Sequence, residues 1–177
     1  MHSRAETDPV ASCHWPRRNT LRRLAAFGLA TLGTVSPGLT RSARIELRSA
    51  ILIGNAAYAD ARLRNPVNDA QAMDATLRRL GFSTQLKADA GRDEMIELLR
   101  VYLRRAEHSD VRLVFFAGHG VQWQGRNYLI PVDATIRDES DLATQSVDLS
   151  AIVDRLSSLR QGVNIIIVDA CRNNPYT

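Results

Sequence analysis

The sequence predicts an α/β domain: a mostly parallel sheet with helices on both of its faces. Two observations carry that expectation. Short apolar runs, SAILIGN (49–55), VRLVFFAGHG (111–120) and the run from Val163 to Val168, read as strands buried on both sides. Between them, apolar residues recur at helical spacing, so strands and helices alternate along the chain as they do in layered α/β proteins.

In chain order, the regular pattern begins near Arg48. The first strand, 49–55, ends at Gly54 and Asn55. In NPVNDAQAMDATLRRLGF, residues Ala70, Met73, Leu77 and Leu80 form a helical stripe that Gly81 stops. Asn65 and Asn68 read as turn and capping groups. FSTQLKA (82–88) alternates and reads as a second strand. In 92–108, Met95, Leu98, Leu99, Tyr102, Leu103 and Ala106 share one helical face. The strand at 111–120 ends in a glycine-flanked histidine. VQWQGRNYLIPVDA (121–134) reads as a hairpin around Gln124-Gly125, with Trp123 and Tyr128 packing it. Asp148 is a plausible N-cap for a helix carrying Leu149, Ile152, Val153, Leu156 and Leu159, and GVNIIIVDAC is the fourth main strand.

Length and composition fit one core of ordinary size, at 177 residues and 45% apolar. The net charge of +4 sits entirely in residues 1–43, whose six arginines face two acids; of the 23 basic and 19 acidic residues, 17 of each remain for the rest. Residues 44–177 therefore offer no electrostatic case for a nucleic-acid partner. Residues 1–43 read as an export leader. PRRNTLRR (16–23) precedes LAAFGLATLGTV (24–35), an apolar run shorter than the ~20 residues of a spanning helix. The paired arginines resemble a twin-arginine signal, although Pro16 and Thr20 depart from it, and Ser42-Ala43 is the nearest cleavage candidate. Periplasmic or secreted localisation is the expectation if the leader functions, and cytoplasmic otherwise. Cys13 belongs to the leader, so the domain carries Cys171 alone and no disulfide of its own.

In open parallel sheets, reactive groups gather beyond the carboxyl ends of the strands. His119 follows one strand and Cys171 follows another, whereas His108 reads as a solvated helix terminus. If the two strands are neighbours, their tips lie about 5 Å apart. A thiolate attacker and an imidazole that moves its proton could then flank a peptide bond. The backbone N–H groups of Gly120 and Cys171 are available for an oxyanion. Taken singly, each feature has a plain alternative: a lone cysteine is usually a core residue, and a histidine between glycines can be a turn residue.

Jointly, FFAGHGVQ and IIIVDACRNNP resemble the caspase-like cysteine peptidases, a group that includes caspases, metacaspases, paracaspases, legumain and gingipains. The cysteine follows the histidine at close to the caspase interval of about 50 residues. The resemblance runs from about Ser49 to Asn174 and takes in ILIGNAAY, LRNPVNDAQAM and YLIPVDA, as in bacterial caspase-family domains. It implies a caspase-like large-subunit (p20-type) catalytic domain with a His119–Cys171 dyad. Asp169 replaces the glutamine that animal caspases carry there, and Asn173 replaces a glycine. By resemblance to metacaspases and paracaspases, Asp169 and Asp69 would line the pocket for the residue before the cut. Two carboxylates there would select arginine or lysine. Helix-dipole stabilisation is the alternative role for Asp69, and capping of the loop after the strand is the alternative for Asp169. Arg172 could pair with an acid or face solvent.

The family fold continues beyond the cysteine with strands of a small subunit. The expectation is therefore a domain truncated after the strand bearing Cys171, with an open edge that invites a missing small-subunit-like chain or self-association. A cysteine endopeptidase acting on protein or peptide substrates competes with a catalytically incomplete binding or assembly module. A nucleotide-binding domain is disfavoured, because GNAAYAD contains no phosphate loop. No metal-ligand spacing is present and no cofactor is expected. Calcium activation, known in metacaspases, cannot be assigned to a loop.

Overall fold

The structure, a computed structural model, describes residues 46–159 and 161–170. These residues all belong to the compact unit Ser42–Thr177. Residues 1–45, with Cys13 and Ser42-Ala43, lie outside the described residues, as do Cys171, Arg172 and Asn173.

In chain order the first elements are β1 (Arg48–Gly54), α1 (Pro66–Arg79), β2 (Ser83–Ala88), α2 (Arg92–Ala106) and β3 (Val111–Ala117). There follow β4 (Gly120–Trp123), β5 (Arg126–Leu129), α3 (Asp141–Gln145), β6 (Val147–Asp148), α4 (Leu149–Ser157) and β7 (Val163–Asp169). The main sheet has the order β2-β1-β3-β7, and all of its pairings are parallel. A small antiparallel sheet has the order β4-β5-β6.

Strand side chains alternate between the two faces, and along the central strands β1 and β3 both faces are dry. Ala50, Leu52, Leu113, Phe115 and Ala117 pack under α1 through Ala70 and Leu77. Ile51, Ile53, Val114 and Phe116 pack under α2 and α4 through Met95, Leu99, Tyr102, Ile152 and Leu156. Burying each large apolar side chain contributes about 1.5–3 kcal/mol. Solvent-facing ion pairs such as Arg100–Glu97 are screened by water and add little beside this, so the sheet faces dominate. An α/β architecture with helices on both faces of a parallel sheet is therefore the observed one.

Local signals account for most boundaries. Pro66 starts α1, where a missing N–H costs nothing. Gly81, at φ 82°, ends it. Gln124 and Gly125 both have positive φ, 47° and 76°, as a two-residue hairpin matching the strand twist requires. Asp148 caps α4 by accepting from Ser150 N at 2.8 Å. Trp123 and Tyr128 pack around the hairpin, and His108 is exposed just after α2.

Several expectations need correction. Asn65 precedes α1 but makes no side-chain cap; its backbone is already helical, and Pro66 sets the start instead. Asn68 lies within α1 and is exposed. Leu80 leaves the helical stripe because it follows the last helical residue, and it is 55% exposed. The Val163–Val168 run is not fully buried: among the described residues β7 is an edge strand, as β2 is on the other side, and Val163 and Val168 are exposed. The elements α3 and β6 were not expected, being too short to carry a period.

Candidate active site

The site is assembled where β1, β3 and β7 end. The register pairs Gly54 with Ala117 and Ala117 with Asp169, so the three strands finish level. Gly118 N donates to Asp169 O at 3.1 Å, which carries the pairing one step past β3. The strand bearing His119 is thus the direct neighbour of the strand leading towards Cys171, as the sequence reading required. Cys171 itself lies outside the described residues.

His119 is partly buried and is held from several directions. Its Nε2 lies 2.7 Å from Ala61 O. A carbonyl oxygen only accepts, so Nε2 carries the proton and Nδ1 is left as the basic nitrogen. Its backbone N–H donates to Tyr58 Oη at 2.9 Å. The Tyr58 ring lies against the imidazole, with centroids 4.4 Å apart and planes tilted by 55°.

Tyr58 and Ala61 belong to the loop between β1 and α1, and that loop is anchored. Asp89 Oδ1 accepts from Ala56 N at 2.8 Å and from Ala57 N at 2.9 Å, and Leu63 N donates back to Ala56 O at 3.0 Å. Asn55, fully buried, ties the same corner together. Its side chain accepts from Ala90 N at 2.9 Å and donates to Ala90 O at 3.2 Å and Ile130 O at 3.4 Å. Burial pushes the Tyr58 phenol up to about 12, so it stays protonated through neutral pH. Gly118 allows this packing, because a Cβ there would lie 2.6 Å from Tyr58 Oη and 2.9 Å from Phe116 Cζ.

Gly120 opens β4 and pairs with Leu129. Ile130 N donates to His119 O at 3.0 Å, which makes Gly120–Leu129 a non-hydrogen-bonded pair. The Gly120 N–H is therefore not used by the hairpin ladder. Gly120 and Ala170 both line a groove of about 440 Å³ between the small sheet and β7.

On the other side of Gly118, a cleft of about 330 Å³ is lined by Arg64, Asn65, Asp69, Gly118 and Asp169. The two acids named from sequence thus share one cleft, one from the first turn of α1 and one from the end of β7. Both are exposed, whereas a partly buried pocket was expected. Among the described residues neither carboxylate has a salt-bridge partner. Among the described residues, no group of three or more His, Cys, Asp or Glu side chains could hold a metal ion.

Sequence reasoning missed Tyr58, Asn55, Asp89 and Ala61. Tyr58 and Asn55 lie within the quoted ILIGNAAY stretch, which was the available signal. Ala61 acts through its carbonyl, so no side chain could have marked it.

Comparison with known proteins adds two findings. The family model described as "Caspase domain" matches residues 47–177. The chain is also 30% identical over 131 residues to mucosa-associated lymphoid tissue lymphoma translocation protein 1 from Homo sapiens and to its homolog from Mus musculus. The alignment covers 72% of this chain and 15% of each relative, so the chain spans only a small part of those proteins.

Proposed function

The chain belongs to the caspase domain family, and from that premise we propose that it is a cysteine endopeptidase cutting after arginine or lysine. His119 and Cys171 are its catalytic pair, and Asp69 and Asp169 select the residue before the cut. The observation that carries this reading is the placement of His119. Its Nε2 is committed to Ala61 O, and its strand is paired with the one that runs through Asp169 towards Cys171.

The chemistry follows from that commitment. Nδ1 takes the Cys171 thiol proton, and the thiolate attacks the peptide carbonyl carbon. The carbonyl π pair moves to oxygen, where the Gly120 and Cys171 N–H groups receive the negative charge. The oxyanion collapses, the C–N bond breaks, and Nδ1–H protonates the departing amine to leave a thioester. Water then attacks the thioester carbon and gives a proton to Nδ1, and the thiolate is released. Asp69 and Asp169 line one cleft and would hold a guanidinium or ammonium there.

Steady-state cleavage of fluorogenic peptides ending in Arg, Lys or Asp before the reporter tests this reading. Arg and Lys substrates should be cleaved and the Asp substrate not. Cys171→Ala and His119→Ala should abolish turnover. Asp69→Asn and Asp169→Asn should each lower kcat/KM for the Arg substrate by about 10- to 100-fold, the cost of an unpaired charge contact of ~1.4–3 kcal/mol. Preference for Asp, or turnover surviving Cys171→Ala, would refute it.

The exposure of β7 favours a second reading. Val163 is 56% and Val168 38% exposed on β7, an edge strand among the described residues. A strand from a second copy or from another chain could pair there, making the domain a binding or assembly module. Self-association without His119-dependent reactivity at Cys171 would support that role over the enzymatic one.

A further inference from the structure

We propose that Tyr58 is the positioning residue for His119, holding its backbone in a closed ring of hydrogen bonds and its imidazole against the phenol ring; this rests on the reading of His119 as the catalytic base. The ring joins three segments. Tyr58 O–H donates to Ile130 O at 2.9 Å. Ile130 N–H donates to His119 O at 3.0 Å. His119 N–H donates to Tyr58 Oη at 2.9 Å and closes the circuit.

One hydroxyl therefore both donates and accepts, between the loop after β3 and the loop after β5. It spends its single proton on Ile130 O and turns a lone pair to the His119 backbone. Because its proton is retained through the neutral range, the circuit does not titrate away where a thiol–imidazole pair works. The aromatic ring adds a steric wall against the imidazole. Ala61, three residues further along the same loop, supplies the acceptor for Nε2. Backbone, ring face and ring nitrogen of His119 are thus all held by one short loop, and Tyr58 supplies two of the three holds. Gly118 leaves the space for it, since any Cβ would fall on Tyr58 Oη. A phenylalanine would supply the wall but not the circuit, so the hydroxyl and the ring make separable contributions.

The test uses the full chain with Tyr58→Phe, which keeps the ring, and Tyr58→Leu, which removes it. Turnover is expressed per site reactive at Cys171, counted by mass labelling, so that a loss of folded protein does not register. In Tyr58→Phe, kcat per site is expected to fall by about 10- to 100-fold, the cost of mispositioning a reacting group by a fraction of its length. KM should stay within about twofold, because the acidic cleft is untouched. Nitrogen-15 spectra of labelled histidine supply a readout independent of turnover. The wild type should show His119 as a single Nε2–H tautomer, and Tyr58→Leu should show exchange between tautomers. Unchanged kcat per site together with unchanged spectra in both variants would overturn the proposal, as would a loss carried entirely by KM. If the wild type turns over no substrate, the peptidase reading fails by itself. The spectra then decide: altered His119 signals in Tyr58→Leu uphold the positioning role, and identical signals overturn it.

Discussion

At His119, the surroundings decide which nitrogen can work. The Ala61 carbonyl claims Nε2 and the Tyr58 hydroxyl claims the backbone N–H, so Nδ1 is the nitrogen that the proposed proton transfer would use. The Tyr58 phenol also has a measurable consequence at high pH. Its folded value is raised to about 12 by burial, above the ordinary value of 10. A raised value means that the folded state keeps its proton where the unfolded chain has lost it. The contribution is complete below pH 10 and is lost as pH climbs to about 12. Urea midpoints should therefore fall between those values more steeply in the wild type than in Tyr58→Phe; parallel curves would contradict the assignment. Burial raises Tyr102 as well, in the same direction, which is why the comparison needs the single variant and not the wild type alone. Gly118→Ala should cost about 1–3 kcal/mol through overpacking against Tyr58 and Phe116. Thermal melting would show this, and an unchanged midpoint would mean that the corner relaxes freely.

Among the elements, α2 has no side-chain cap on its own N-cap residue, Gly91. The cap comes from far along the chain instead: Asp133 Oδ1 accepts from Arg92 N at 2.9 Å. Asp133→Ala should therefore destabilise the fold by about 1 kcal/mol, as lost caps do, read from urea denaturation; no change would mean that water replaces the carboxylate. This long-range cap gives Asp133 of the YLIPVDA stretch a role that the sequence did not reveal. Strands β1, β3 and β7 were legible because apolar runs of that length have few other uses, whereas β2 was legible from its alternation. By contrast α3, with five residues, and β6, with two, leave no periodic trace, and tertiary contacts alone define them. Asn65 shows the limit of residue-type reasoning: it has the right side chain at the right place, yet Pro66 does the work. The acids of the cleft were legible only through resemblance, since nothing in their spacing brings Asp69 near Asp169. Tyr58 was not legible, because its partners are backbone groups of two distant loops.

For the whole molecule, the parallel order β2-β1-β3-β7 is what turns separated motifs into one site. Pairing β3 with β7 brings the histidine strand and the strand leading to the cysteine side by side, and α1 adds its acid at the same edge. In the proposed reading, this edge is a cysteine peptidase site selective for basic residues. Its most direct test is labelling of the full chain with a peptidyl-arginine electrophile, read by intact mass, with an aspartyl probe as the control. Stoichiometric modification at Cys171 by the arginyl probe alone, lost in His119→Ala, is the predicted result. Modification no faster than a generic thiol reagent gives, or equal modification by both probes, would contradict it.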